Sequence, residues 1–295
     1  MKNYSIRDNT KPSLQKSITI VTLSLGLSDN LILTLRSVEN QNLSTRHILI
    51  DGSNNNDIRD YCKMNFPNVE IFFQSPQGIY KAMNFGLENV SDSSYVMFLN
   101  EADFLLGPEA VSKLYRFVDD SDQWVYGGTL AFSYDSDKTF EYGYMNPNWK
   151  NFEMGLVIVP HPSSMIPAIW LKNLNGFKDA LKVAADTEMN FRVYKKHGPP
   201  IHVQEFITAH ELGGVSSVLQ SRSNFESRLA RLQNFPLLTL QKFLSSIFIQ
   251  KKSNSSQKSI CTIGSNPSFQ HYSNCTGKER VPICCRNALL ESLQQ

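Results

Sequence analysis

The chain has 295 residues, 41% of them hydrophobic and 19% charged, with a net charge of +2. That apolar fraction builds a sizeable core and excludes wholesale disorder, while 29 basic against 27 acidic residues leave no electrostatic footprint for nucleic acid. No apolar run reaches the roughly 18 residues that cross a bilayer, and residues 1–16 are polar without an apolar h-region, so the expected setting is cytoplasmic.

Residues 1–16 read as a flexible lead. Residues 17–23 (SITIVTL) are rich in β-branched side chains and read as a buried strand. Leu31, Leu33, Leu35 and Val38 predict a helix over 29–42. Residues 47–50 (HILI) predict a second strand, ending in the turn signature Asp51-Gly52-Ser53. A helix over 57–65, a strand over 69–73, a helix from 78 to 87 and a strand over 94–99 follow. Strands alternating with helices predict an α/β fold with a mostly parallel sheet.

The middle of the chain is less regular. A helix is expected over 109–118, strands at 124–126 and 139–144, and a turn at Pro160-His161-Pro162. Residues 183–194 predict a helix with Asp186 and Glu188 in its first turns, where acids complement the helix dipole. Residues 199–207 predict one more strand. From 225 to 250, Leu229, Leu232, Leu237, Leu240, Phe243 and Phe248 recur at helical intervals, split by Pro236 and flanked by Arg and Lys. After 253 the chain turns rich in Ser, Asn and Gln and predicts no structure. Of the five cysteines, Cys62 stands alone. Cys261, Cys275, Cys284 and Cys285 form no CxxC pair, so a zinc set with His271 is not expected and reduced thiols are.

Ligands of an open α/β sheet bind beyond the carboxyl ends of its strands. Asp51 falls at one such end, Asn100, Glu101 and Asp103 at another, and Asp186 at a helix start. Singly, Asp51 serves equally well as a turn former, Asp103 as a helix cap and Asp186 as a first-turn acid. Together they suit a nucleotide diphosphate: hard cations take carboxylate and phosphate oxygens, and a further carboxylate can accept a proton from an attacking hydroxyl. No GxGxxG, GxxxxGK[ST], GxSxG or HExxH is present, so dehydrogenase, P-loop, serine-hydrolase and zincin readings lack support.

The runs SITIVTLSLGLSDNLILTLRSVENQN, HILIDGSNNND and GIYKAMNFGLENVSDSSYVMFLNEADFL resemble the nucleotide-binding half of the inverting family 2 glycosyltransferases of GT-A fold. IVPHPSSMI, LNGFKDALKVAADTEMNFRVYKKHG and AHELGGVSS resemble the acceptor half in the same order. The nearest likeness is to bacterial enzymes of colanic acid, exopolysaccharide and O-antigen assembly. The resemblance implies a glycosyltransferase domain over 17–220, with a nucleotide-binding half (17–104) and an acceptor half (105–220). C-terminal amphipathic helices (221–252) and a weakly structured tail (253–295) complete the expected layout.

The resemblance also implies roles. Thr22 and Asp51 would hold the nucleobase and ribose; Gly78, Tyr80 and Asn84 would line the donor pocket. In Leu99-Asn100-Glu101-Ala102-Asp103, a variant of the family's acidic motif, Asp103 would bind a divalent cation, Mn2+ or Mg2+, with Asn100 and Glu101 toward the donor. Gln77 replaces a common Lys or Arg. Asp186 would be the general base and His161 the acceptor-side histidine. His210-Glu211 before Leu212-Gly213-Gly214 could reach the diphosphate or metal, or could simply precede a glycine turn. The implied partners are a nucleotide-sugar donor and a glycan or lipid-linked saccharide acceptor, in cell-surface polysaccharide biosynthesis. The 225–250 stretch would touch the inner face of the membrane or pack on the domain. The rival reading is a catalytically degenerate binder of nucleotide sugar or glycan.

Overall fold

The computed structural model describes residues 16–119, 121–133, 136–145, 147–211 and 219–238. The N-terminal lead, Leu212-Gly213-Gly214, the stretch beyond 238 and the C-terminal cysteines with His271 lie outside the described residues.

Strand β1 (Ile18–Ser24) is buried at every position. A parallel strand covered on both faces reads as a continuous apolar run, as this one does. Helix α1 (Asp29–Glu39) starts at Ser28, whose hydroxyl accepts the Leu31 N–H at 3.0 Å. There follow β2 (Arg46–Asp51), α2 (Asp57–Asn65), β3 (Val69–Phe73), α3 (Ile79–Glu88), β4 (Tyr95–Phe98), β5 (Asp103–Leu105) and α4 (Ala110–Tyr115). The second half comprises β6 (Val125–Ser133), β7 (Ser136–Tyr142), α5 (Trp149–Glu153), β8 (Ser164–Pro167), α6 (Ala168–Asn173), α7 (Ala185–His197) and β9 (Ile201–Glu211). Helix α8 (Gln220–Asn234) follows.

One sheet runs through both halves in the order β3-β2-β1-β4-β8-β6-β9-β5, with β7 paired to β6. The expected parallel character holds for β3-β2-β1-β4 and for the β6–β9 pair; β8, β5 and β7 join antiparallel. The sheet is therefore more mixed than alternation alone predicts. Chain order reverses between β1 and β4, so the loops after these strands part and leave a crevice at their carboxyl ends. On one face Val21, Ile48, Ile50, Met83 and Phe98 pack with α7 residues Met189 and Phe191. On the other, Ile18, Ile20, Met97, Val111 and Leu114 pack together. Trp124 is buried; Trp149 and Trp170 pack against the first cluster.

Three elements carry no periodic signal because they are too short to show one: β5, α5 and α6. Helix α8 also departs from expectation. Its buried positions are Glu226, Ala230 and Asn234, one turn apart, while Phe225, Leu232 and Leu237 are exposed. The helix is held by polar anchors and by Phe235, whose ring meets Phe191 and Tyr194, rather than by a leucine stripe.

Candidate active site

The β1 and β2 ends come first. Parallel register sets Ser24 beside Asp51, and the Gly52 N–H donates to Ser24 O at 2.8 Å. Asp51 is fully buried. Its Oδ1 accepts the Ser53 N–H at 2.8 Å, but Oδ2 has no partner. A buried acceptor left open costs about 1–3 kcal/mol, which a ligand N–H or O–H would remove. Thr22 does not reach this rim. It lies two residues deeper on β1, fully buried, with its hydroxyl 2.9 Å from His47 Nε2. Thr22, expected to hold the base or ribose, thus lies one step below the rim, and the β1 residue at the strand's carboxyl end is Ser24.

The turn after β4 closes on itself. The Asp103 N–H donates to Asn100 O at 2.9 Å, and Asp103 Oδ2 accepts the Asn100 N–H at 3.1 Å. Ala102 between them has φ +73°, a left-handed conformation costing roughly 1–2 kcal/mol for a residue with a Cβ. Asp103 is buried at the start of β5, and burial pushes its carboxyl up to about 6 against the opposing pull of His161 and the Asn100 N–H. Glu101 faces elsewhere. Its Oε2 accepts from the Ser24 hydroxyl at 2.7 Å and its Oε1 from the Ser28 hydroxyl. Both oxygens thus clasp the loop between β1 and α1. Glu101, expected toward the donor, holds that loop in this structure.

The third group joins residues of both halves of the chain. His161, in the expected turn, puts Nδ1 3.4 Å from Asp186 Oδ2. Asp186 is the second residue of α7, and its Oδ1 accepts from the Tyr80 hydroxyl at 3.3 Å. On its far side His161 Nε2 lies 3.4 Å from Asn100 Nδ2. The result is a line Tyr80–Asp186–His161–Asn100, continuous with the turn that carries Asp103. Burial would raise the Asp186 carboxyl, but the His161 hydrogen bond and charge, with the Thr187 N–H and the Tyr80 hydroxyl, hold it below the usual range. Burial opposes a charged His161, yet Asp186 and Asp103 together raise it. Asn100 Oδ1 is buried without a partner. Turning that amide over would offer the oxygen to Nε2–H of a cationic His161.

Gly78 precedes α3 with φ +106°, a conformation only glycine adopts freely, and so sets the start of the helix that carries Tyr80. Asn84 is not free for a donor. Its Oδ1 accepts the Phe177 N–H at 2.7 Å and its Nδ2 donates to Phe177 O at 2.8 Å. Gly176, with φ +64°, leaves room for that amide where a Cβ would clash with it. Asn84, expected to line the donor pocket, here clamps α3 to the Leu174–Phe177 turn, and Phe177 in turn stacks on Tyr80.

His210 stands across from Asp103 in the antiparallel β5–β9 register and stacks on Tyr142. Burial and the nearby His161 charge push it down to about 4, so it is neutral at neutral pH. Among the described residues no three His, Cys, Asp or Glu side chains form a metal cluster. One buried carboxylate beside a neutral imidazole fits a hard cation that takes its remaining ligands from phosphate oxygens and water, the usual habit of Mg2+ at nucleotide sites.

The sequence model for glycosyl transferase family 2 matches residues 17–173. No curated protein matches the chain in sequence. Solved structures do match in fold. S. aureus TarS 1-349 in complex with UDP-GlcNAc is 13% identical at TM-score 0.57, over 72% of this chain and 65% of that one. The mannosyltransferase PcManGT from Pyrobaculum calidifontis, in complex with GDP-Man and Mn2+, is 11% identical at TM-score 0.50, over 79% and 66%. GalNAc-T7 with UDP, GalNAc and Mn2+ is 13% identical at TM-score 0.53, over 70% and 47%. The chain thus spans just under two-thirds of the TarS fragment it matches.

Proposed function

The chain belongs to glycosyl transferase family 2, with a GT-A fold, and from that premise we propose that it transfers a sugar from a nucleotide-diphosphate donor to a hydroxyl of a glycan or lipid-linked saccharide. The observation that carries this reading is the joining of a buried carboxylate (Asp103) to a His161–Asp186 pair at the strand ends where the chain order reverses.

In this reading Asp51 offers its open oxygen to an N–H or O–H of the nucleoside. Asp103, with His210 across from it, would hold Mn2+ or Mg2+, and the cation would supply charge neutralisation of the departing diphosphate. Asp186, ionised at neutral pH, accepts the proton of the acceptor hydroxyl as that oxygen attacks the anomeric carbon. His161 orients the carboxylate through Nδ1 and carries part of the charge. A single displacement on the face opposite the diphosphate inverts the anomeric centre and needs no covalent enzyme intermediate. The setting is cell-surface polysaccharide synthesis on the cytoplasmic side. Among the described residues no helix is long and apolar enough to cross a membrane. Among the described residues of the 225–250 stretch, Phe225, Leu232 and Leu237 are exposed beside Arg228 and would serve a membrane contact there.

One observation favours the rival, a binder without catalysis: the motif's second acid, Glu101, is tied to two serines. Thermal shift across UDP-, GDP- and dTDP-sugars with and without Mn2+, followed by nucleotide release on the stabilising donors, separates the two. The expected result is a cation-dependent shift of several degrees; ligand at a hundred times its Kd contributes about 2.7 kcal/mol. Slow nucleotide release should accompany it. A shift without release supports the rival, and no shift with any donor overturns both.

A further inference from the structure

Helix α8 lies beyond residues 17–173, yet it reaches the segment that carries the proposed base. The Glu226 side chain is 5% exposed, and its carboxylate is aimed at the backbone just ahead of α7. Its two oxygens receive the Lys182 N–H at 3.1 and 2.9 Å; Oε2 also accepts the N–H groups of Val183 at 2.9 Å and Ala184 at 3.2 Å. Arg222, one turn earlier on α8, donates Nε–H to Oε1 at 2.8 Å.

Ala184 is the N-cap of α7 and has no side-chain oxygen to take up the backbone donors there. Glu226 supplies that anion from another helix. Asp186 follows two residues later. Farther along α7, Asn190 Nδ2 donates to Val159 O at 3.0 Å and so holds the entry to the Pro160-His161-Pro162 turn. Both members of the His161–Asp186 pair therefore hang on α7, and the first turn of α7 hangs on Glu226. Docking α8 does not by itself call for a buried carboxylate: Phe235 already packs on Phe191 and Tyr194. The carboxylate instead fixes three consecutive amides, and thereby the direction in which α7 presents its second residue.

We propose that Glu226 is a positioning residue for Asp186, setting the carboxylate within reach of both His161 and the acceptor hydroxyl. The proposal rests on the reading of Asp186 as the proton acceptor. An error of about 1 Å in such a group costs on the order of 10²-fold in rate.

The test is a double-mutant cycle in the full chain, using release of UDP or GDP from the fastest-hydrolysed donor with Mn2+, water being the acceptor. E226Q keeps the shape and loses the charge. The expected result is a kcat lower by about 10- to 100-fold, donor KM within about twofold, and a melting temperature close to the parent's. On a D186N background the same change should cost less than about twofold more, because the group it positions is gone. A full loss on both backgrounds, an unchanged kcat, or a matching rise in KM overturns the proposal. If E226Q does not fold, R222Q carries the test. It leaves the carboxylate in place but unbraced, and should give a smaller kcat loss that also vanishes on D186N; an unchanged kcat overturns the proposal. Near-normal turnover by D186N alone would sink the reading of Asp186 itself, an outcome distinct from any of these.

Discussion

The two sides of the crevice treat the carboxylates Asp51 and Asp186 differently. On the β3-β2-β1 side an acceptor is left open: Asp51 is fully buried, with one oxygen turned by the Ser53 N–H and the other unpartnered. Where the loop before β8 and helix α7 meet α3 and the turn after β4, the reactive groups hold one another: Tyr80 and His161 both engage Asp186, and Asn100 backs His161. An open buried acceptor is a standing cost that a ligand removes, so in the proposed reading the first side binds. A mutually paired acid and imidazole have fixed positions and displaced proton affinities, so in that reading the second reacts.

The comparison breaks most sharply at Asp186. D186N should cut turnover by about 10³-fold, within the range for losing a positioned proton acceptor, while donor affinity stays within about threefold. Steady-state nucleotide release and donor titration check the two halves of that statement. A large loss of affinity would mean that the second side binds as well as reacts.

Asp103 sits where the two sides meet, and D103N should cost about 10²-fold at a fixed Mn2+ concentration, with the cation requirement blunted. Its proton gives a pH signature. Burial raises its carboxyl to about 6, and only the ionised form takes a cation, so Mn2+ affinity should fall about tenfold per pH unit below 6 and level off above it. Isothermal titration with Mn2+ between pH 5 and 8 measures this; the opposite slope would remove Asp103 from the cation's shell.

D51N should weaken the donor by about 10- to 100-fold, the size of a lost charge-assisted hydrogen bond of about 1.5–3 kcal/mol, and leave kcat at saturation nearly unchanged. Fluorescence or calorimetric titration with the stabilising donor checks it. Equal losses in kcat and affinity would erase the division of labour between the two sides.

The same division explains what could be read from the chain. Helix α2 and strand β3 lie where the pattern of residues 57–73 puts them, because local periodicity and tertiary burial agree there. Asp51, Asp103 and Asp186 were visible as acids at element ends. The surroundings of the other residues depend on long-range facts. Thr22 and Ser24 point to the same face of β1, and only the register with β2 decides which reaches the crevice. Asn84 meets Phe177 across 93 residues, and Glu226 meets Val183 across 43, contacts with no periodic trace. On α8 the apolar residues dominated the pattern, yet the burial went to Glu226, Ala230 and Asn234.

The smallest effect belongs to Glu101, and it sharpens the comparison most finely. Glu101 lies within the acidic motif, yet its oxygens bind Ser24 beside Asp51 and Ser28 at the α1 N-cap. Ser28 uses the same hydroxyl to accept the Leu31 N–H, so one carboxylate ties the motif turn to both the binding rim and the helix behind it. E101Q retains one good acceptor and loses the charge. It should weaken the donor by about threefold through a looser rim, with kcat and Mn2+ affinity unchanged, because the bonds it loses hold the loop and not the donor itself. S28A should reproduce that affinity change and add about 1 kcal/mol of instability from the missing cap. If E101Q instead costs as much as D103N in Mn2+ titrations, the carboxylate leaves the serines when donor and cation arrive, and Glu101 belongs with Asp103 rather than with the binding rim.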